Sequence, residues 1–243
     1  MDWIINQGHR ARLIKSISTH ALSRDGMKHL EAMRGEAEAL RASSEWMWRG
    51  LVLSFSTVQN KGNRVWKNVE ARLPCIAFSN VAAIHDEAAR KGFLAEQLHG
   101  VGYRYPDRFC GYLTHAVQIF EAAGGPAKAA TDLLGASDTE KIAFMSQFKG
   151  ISHKYARNMW MDSHPDSLKK AFAIDSNILQ IVLALFNQVP RGVKPTGIAN
   201  SIRYQEAEAH LAEISHEANV TTWEADRLMY RFRTAILNDM SDA

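Results

Sequence analysis

Apolar residues recur at three- and four-residue steps through most of this chain, the spacing that lines one side of a helix. Met27–Leu40 is the clearest case, rich in Ala, Leu, Glu, Met and Arg. Asn80–Lys91 and Arg108–Ala122 repeat the pattern. Gly124-Gly125-Pro126 interrupts it, and Ala127–Leu134 then runs as far as Gly135. Ser137 and Asp138 offer capping oxygens to a helix over Thr139–Phe148, with Glu140 early in its first turn. Lys149-Gly150-Ile151-Ser152 is a tight turn, after which Tyr155–Met161 resumes helically. Asp175 caps Ser176–Phe186, and a loop with Pro190, Gly192, Pro195 and Gly197 precedes helices at about Tyr204–Ala218 and Thr222–Leu237. Period-two alternation nowhere persists long enough to argue for a sheet, and no internal repeat is visible. The expected fold is all-α, with many short helices arranged as lobes facing a cleft.

Composition narrows the class without choosing a function. The 243 residues are 46% apolar and 23% charged, ordinary globular values that exclude collagen-like, disordered and low-complexity chains. Cys75 and Cys110 are the only cysteines, too few for a disulfide framework or a four-cysteine zinc or iron–sulfur site. A net charge of +3 permits an anionic partner without demanding one. Met1-Asp2-Trp3 puts an acid where an export signal needs bases. The longest apolar stretches, Leu51–Phe55 and Ile181–Phe186, are too short to span a bilayer. The expectation is a cytoplasmic protein with no membrane partner. His153 and His164 lack a third ligand at zinc spacing, so no metal centre is expected.

The chemistry concentrates around Phe148-Lys149-Gly150-Ile151-Ser152-His153-Lys154-Tyr155-Ala156. Here two helices meet in a turn pivoting on Gly150, where positive φ or close backbone approach is expected. A helix starting near Ser152 points its first N–H groups outward, an end that accepts anions, and Lys149 adds charge beside it. Such a corner grips a phosphate backbone without reading sequence, and taken alone it also reads as an ordinary helix–loop–helix corner. Lys154 opens the second helix, and Asp175 follows 21 positions later in Ala173-Ile174-Asp175-Ser176-Asn177-Ile178.

Hairpin, Lys154 and capping Asp175, in that order, resemble the helix-hairpin-helix DNA glycosylase superfamily. Its motif is a glycine-containing hairpin, a lysine opening the second helix, and an essential Asp some twenty residues on. Upstream, Leu53–Arg64 is similar to the segment that fills the emptied base stack and contacts the orphaned base. Gln59, beside Asn60, falls at the stack-filling position, and Arg64 falls where the 8-oxoguanine branch reads the widowed cytosine. Gly100-Val101-Gly102-Tyr103-Arg104 is similar to that branch's Gly-Tyr-Arg turn, in which Tyr wedges beside the lesion and Arg contacts the partner base. From residue type alone, Gln59 and Arg64 also read as solvated helix residues, and Tyr103 as core. The cluster Lys61, Arg64, Lys67 and Arg72 reads equally as a solvated face or as DNA surface. Trp48 and Trp160 lie near enough to these motifs to touch a base, or belong to the core.

The resemblance covers about residues 45–190 and implies two helical lobes flanking a DNA-binding cleft. Residues 45–135 would form one lobe, and 1–44 with 136–243 the hairpin-containing other. The implied activity is base excision from double-stranded DNA carrying a damaged base: a glycosylase with AP lyase activity, acting as a monomer on nucleoid DNA. Lys154, as the neutral amine, would attack C1′, and Asp175 would stabilise charge on the sugar. Gln59, Asn60, Arg64, Tyr103, Arg104, Lys149, Gly150 and Ser152 would contact DNA. The implied lesion is an oxidised base, 8-oxoguanine first. Alternatives are an oxidised pyrimidine, or a non-catalytic module using the hairpin for phosphate contacts. No cofactor and no iron–sulfur cluster are implied, because no cysteine follows Cys110. Backbone carbonyls of Ser146, Phe148 and Ile151 correspond to a K+ or Na+ site in the family. Two departures stand out: Lys149 replaces the usual Pro, and Ser152 the second Gly.

Overall fold

The computed structural model describes residues 2–57, 64–103, 105–195, 197–198 and 200–241. The side chains of Ser56, Thr57 and Arg64 lie outside that description. Fourteen helices carry the fold among the described residues. In chain order the first part runs β1 (Ile4–Ile5), α1 (Gln7–Leu22), α2 (Arg24–Arg41), α3 (Trp46–Thr57), α4 (Arg64–Glu70), α5 (Phe78–Ala82) and α6 (Glu87–Gln97). The middle holds α7 (Pro106–Ala122), α8 (Pro126–Leu134), α9 (Asp138–Met145) and α10 (His153–Ser163). Then follow α11 (Ser176–Leu185), β2 (Phe186–Gln188), β3 (Val193–Lys194), β4 (Gly197–Ile198), α12 (Ser201–Glu217), α13 (Thr222–Arg231) and α14 (Arg233–Ser241).

The fold is all-α, as expected, with two short antiparallel ladders that alternation could not reveal. Ile4 and Ile5 pair with Gln188 and Phe186, and Val193–Lys194 pairs with Gly197–Ile198. Most helix ends have identifiable causes. Ser137 and Glu140 form a reciprocal capping box at α9, as do Thr221 and Glu224 at α13. Gly125, at φ +100°, turns the chain into Pro126 at the first position of α8. Three predicted helices differ. Asn80–Lys91 is broken because Asp86 accepts Ala89 N–H at 2.7 Å and starts a new helix. Thr222–Leu237 divides at Phe232, whose ring stacks on His20 with centroids 4.3 Å apart. Thr139–Phe148 ends at Met145, and Phe148 instead turns inward.

Contacts divide the chain into two compact units, one made of residues 1–38 and 160–243, the other of residues 39–159. These limits differ from the expected lobes: the hairpin and residues 136–147 fall in the 39–159 unit. In the first unit α1 packs on α11, α12, α13 and α14. Its core includes Leu13, Ile17, Ile181, Val182, Leu211, Trp223, Leu228 and Ile236, all at most 1% exposed. In the second unit two sets of aromatic rings pack among α3, α7 and the hairpin. Trp48 meets Phe78 and Phe120 at 5.6 and 6.3 Å, and Phe120 meets Phe148 at 4.8 Å. Phe55 stacks on Phe109 at 5.3 Å, and Tyr103 meets Phe109 edge-on at 5.1 Å.

Candidate active site

The hairpin between α9 and α10 is seated from below by those rings. Phe148 is 2% exposed and packs between Phe120 and Phe144. Gly150 has φ +85°, and a Cβ there would lie 2.5 Å from Tyr112 and 3.1 Å from Phe55. Both reasons for glycine therefore operate at one residue: left-handed backbone and contact with two rings. Ile151 N–H bonds Phe148 C=O at 3.1 Å, closing the turn, and Ser152 C=O accepts the first α10 bond from Ala156 at 2.9 Å. Lys149, Gly150 and Ser152 are consequently exposed at the tip.

The charge around this tip is positive. His115 on α7 has its proton affinity lowered by burial and then by the nearby Lys149 charge. Burial and then Arg157 do the same to His153. Arg157 itself is 2% exposed and donates to His153 C=O at 3.0 Å. Lys154 is half-buried in the first turn of α10, its Nζ 4.8 Å from the centroid of the Tyr155 ring.

Asp175 belongs to the other unit, and two layers of hydrogen bonds hold it there. It is the N-cap of α11, accepting Asn177 N–H at 2.8 Å and Ile178 N–H at 3.0 Å. The buried segment before it, Phe172-Ala173-Ile174, has no ladder partner, so its N–H groups need other acceptors. Side chains of α12 and α13 supply them in order. Glu208 takes Phe172 N–H at 2.8 Å, Asp226 takes Ala173 N–H at 2.8 Å, and the Tyr204 hydroxyl takes Ile174 N–H at 2.7 Å. Tyr204 completes the set by donating to Phe172 C=O at 3.0 Å. Asp226 is also joined to Arg227 at 3.2 Å, and Arg227 reaches Asp162 at 2.8 Å. Burial pushes the Asp226 carboxyl up, while Arg227 and the Ala173 N–H oppose the rise. Nothing in the local sequence signals this set, because its partners lie 30 to 53 positions apart.

The remaining expected site residues divide into several cases. Gln59, Asn60 and Arg104 lie outside the described residues, as does the Arg64 side chain; the Arg64 backbone opens α4. Tyr103 is 8% exposed, its hydroxyl donating to Val52 C=O at 3.2 Å, and burial raises its pKa far above the ordinary phenol value. Its ring thus packs among core aromatics in this structure. Trp48 and Trp160 are both fully buried, and Trp48 Nε1 donates to Ile76 C=O at 2.7 Å. Lys67 and Arg72 are exposed. Among the described residues, no group of three or more His, Cys, Asp or Glu could hold a metal ion. Nor is any helix of those residues long and apolar enough to cross a membrane.

The fold of the chain is similar to that of a solved structure. The crystal structure of 8-oxoguanine DNA glycosylase from Methanocaldococcus jannaschii matches 92% of this chain and 94% of its own length, with a TM-score of 0.63. The two sequences are 19% identical, so the likeness is one of fold. No protein-family model and no curated protein sequence matches the chain.

Proposed function

We propose that this protein is a DNA glycosylase with AP lyase activity that removes an oxidised base, 8-oxoguanine first among candidates, from double-stranded DNA. The observation that carries the reading is the fold shared over nearly the whole chain with an 8-oxoguanine DNA glycosylase. Lys154 at the head of α10 and Asp175 at the head of α11 supply the two groups the reaction needs.

A base inside a duplex cannot be reached, so the damaged nucleotide is extruded before reaction. The exposed hairpin tip, with Lys149, Gly150 and Ser152, holds the DNA backbone through N–H groups and positive charge. Gln59, Asn60, Arg64 and Arg104 contact the vacated stack and the partner base, and Tyr103 joins them if it leaves its ring partners. Lys154, as the amine, attacks C1′ while the bond from C1′ to the base breaks, and the base departs with the electron pair and a proton. A proton from water, relayed by Asp175, makes O4′ a hydroxyl as the sugar ring opens and leaves a protonated Schiff base on Nζ. Loss of a C2′ proton then expels the 3′ phosphate by β-elimination, and water hydrolyses the imine to restore Lys154. The Asp175 carboxylate stabilises positive charge on the sugar and assists proton transfer. A K+ or Na+ ion is a further proposal: it would take carbonyls of Ser146, Phe148 and Ile151 and shield the approaching phosphate. Phe148 C=O already spends one lone pair on Ile151 N–H and keeps the other.

Borohydride trapping tests the reading on duplexes carrying 8-oxoguanine, thymine glycol, uracil or an abasic site. The expected result is a covalent adduct with 8-oxoguanine and abasic duplexes that Lys154→Ala abolishes. An adduct surviving in Lys154→Ala would exclude the lysine nucleophile. No adduct on any duplex, with binding retained, would leave the hairpin as a binding module.

A further inference from the structure

Asp175 uses its two carboxylate oxygens differently. Oδ1 accepts both backbone N–H groups of the α11 cap, from Asn177 and Ile178. Oδ2 stands outside the cap and faces the Asn177 side-chain amide, whose Nδ2 lies 3.3 Å away. The other end of that amide is fixed: Arg233, the first residue of α14, donates to Asn177 Oδ1 at 2.7 Å. A guanidinium has donors and no acceptor, so the amide must turn its oxygen to Arg233. Its NH2 then necessarily turns to Asp175. The side-chain amide thus has one allowed orientation rather than two, and α14, which packs on α11, sets it.

We infer that Arg233, acting through Asn177, is a positioning residue for Asp175, fixing the oxygen that the helix cap leaves for chemistry. The inference rests on the reading of Asp175 as the carboxylate that meets the sugar. The torsion that swings a carboxylate about its Cβ–Cγ bond is broad, and the cap anchors one oxygen only. The amide restrains the second oxygen and spends one of its lone pairs, leaving the remainder aimed in one direction. Arg233 touches neither the cap nor Asp175 in this chain of bonds; its effect passes through the Asn177 amide.

Single-turnover base release from an 8-oxoguanine duplex tests this, measured beside DNA affinity and thermal unfolding. Arg233→Ala and Asn177→Ala should each slow release about 10- to 100-fold, with affinity and Tm little changed. Because the two act in series, the double variant should be no slower than the slower single. Added guanidinium should restore part of the Arg233→Ala rate and none of the Asn177→Ala rate. Asn177→Asp keeps an acceptor for Arg233 but loses the donor to Asp175, so it should be slow although the α11–α14 contact survives. Release at the wild-type rate by Arg233→Ala or Asn177→Asp would overturn the inference. So would a double variant whose loss is the product of the single losses. Asp175→Asn separates the two layers: if it releases base at the wild-type rate, the reading of Asp175 falls and the relay with it. If Asp175→Asn is inactive while Arg233→Ala is fully active, the relay alone falls.

Discussion

Asp226 accepts the backbone N–H of Ala173 at 2.8 Å, two residues ahead of Asp175. A fully buried carboxylate thus holds the strap that delivers the candidate catalytic carboxylate, with Glu208 and Tyr204 gripping the residues on either side. Removing Asp226 leaves a buried N–H unpaired and takes a carboxylate away from Arg227. Asp226→Ala should therefore destabilise the protein by about 3–5 kcal/mol. The raised proton affinity of Asp226 gives a second signature. The folded state holds this proton to higher pH than the unfolded chain does. Its contribution to stability accordingly falls as pH rises from the ordinary carboxylate value through the folded value, then levels off. Chemical denaturation across that window should show this slope in the wild type and lose it in Asp226→Ala.

Gly150 makes a sharper local prediction. Alanine there would place a methyl 2.5 Å from the Tyr112 ring on a backbone at φ +85°. Strain of this kind costs about 1–3 kcal/mol, and the hairpin tip must shift to relieve it. Gly150→Ala should weaken binding to an undamaged duplex as well as a damaged one if, as proposed, the tip meets backbone rather than bases. Fluorescence anisotropy on both duplexes checks this; a loss confined to damaged DNA would argue against a backbone role. Tyr112→Ala in the Gly150→Ala background removes the clashing ring and should recover part of the binding.

How far the fold was legible depended on how local each cause was. Ser137, Gly125-Pro126 and Asp175 act within one turn of themselves, and the helices they start lie close to where spacing predicts. Asp86 acts just as locally, yet the apolar spacing on both sides of it hid the break between α5 and α6. Helix α3 reads only as a short apolar run because Leu51, Val52 and Phe55 are all buried, which blurs its polar face. The β1–β2 ladder joins residues more than 180 positions apart and leaves no local trace. For the candidate site, the order and spacing of Gly150, Lys154 and Asp175 were legible as a resemblance. Their support was not: Tyr112, Glu208, Asp226 and Arg233 are ordinary residues on ordinary helices until the chain folds.

Tyr103 separates two roles that sequence alone leaves open. A wedge beside a lesion would be spare in the absence of DNA, whereas a core residue is needed before DNA arrives. The ring is 8% exposed, stands edge-on to Phe109 and bonds Val52 C=O. Tyr103→Ala should lower stability by about 3–5 kcal/mol without DNA present, the cost of emptying an aromatic site. Tyr103→Phe should cost only about 0.5–1.5 kcal/mol, since it keeps the ring and loses one hydrogen bond. Thermal unfolding of the free variants reads both. Unchanged stability in Tyr103→Ala would favour the wedge.

The capping box at the head of α9 offers a test that needs no DNA. Ser137 N–H and Oγ both donate to the Glu140 carboxylate, at 2.8 and 2.6 Å, while Ser137 Oγ accepts Glu140 N–H at 3.3 Å. The hydroxyl bond, and then the backbone bond, lower the pKa of Glu140. A carboxyl lowered in the folded state contributes stability above its unfolded value and loses it as pH falls through the folded value. An NMR titration should therefore find Glu140 titrating below the ordinary Glu range. Ser137→Ala should move it back toward that range and destabilise the protein by about 0.5–2 kcal/mol at neutral pH. The same variant should show a smaller loss of stability on acidification, because the bonds that acid breaks are already weakened. Ser137→Asp restores an acceptor for the Glu140 N–H but sets a like charge beside its carboxylate, so it should recover the helix start while raising the Glu140 pKa. Recovery of stability in Ser137→Asp with Glu140 still titrating low would show that the depression comes from the helix end rather than from Ser137.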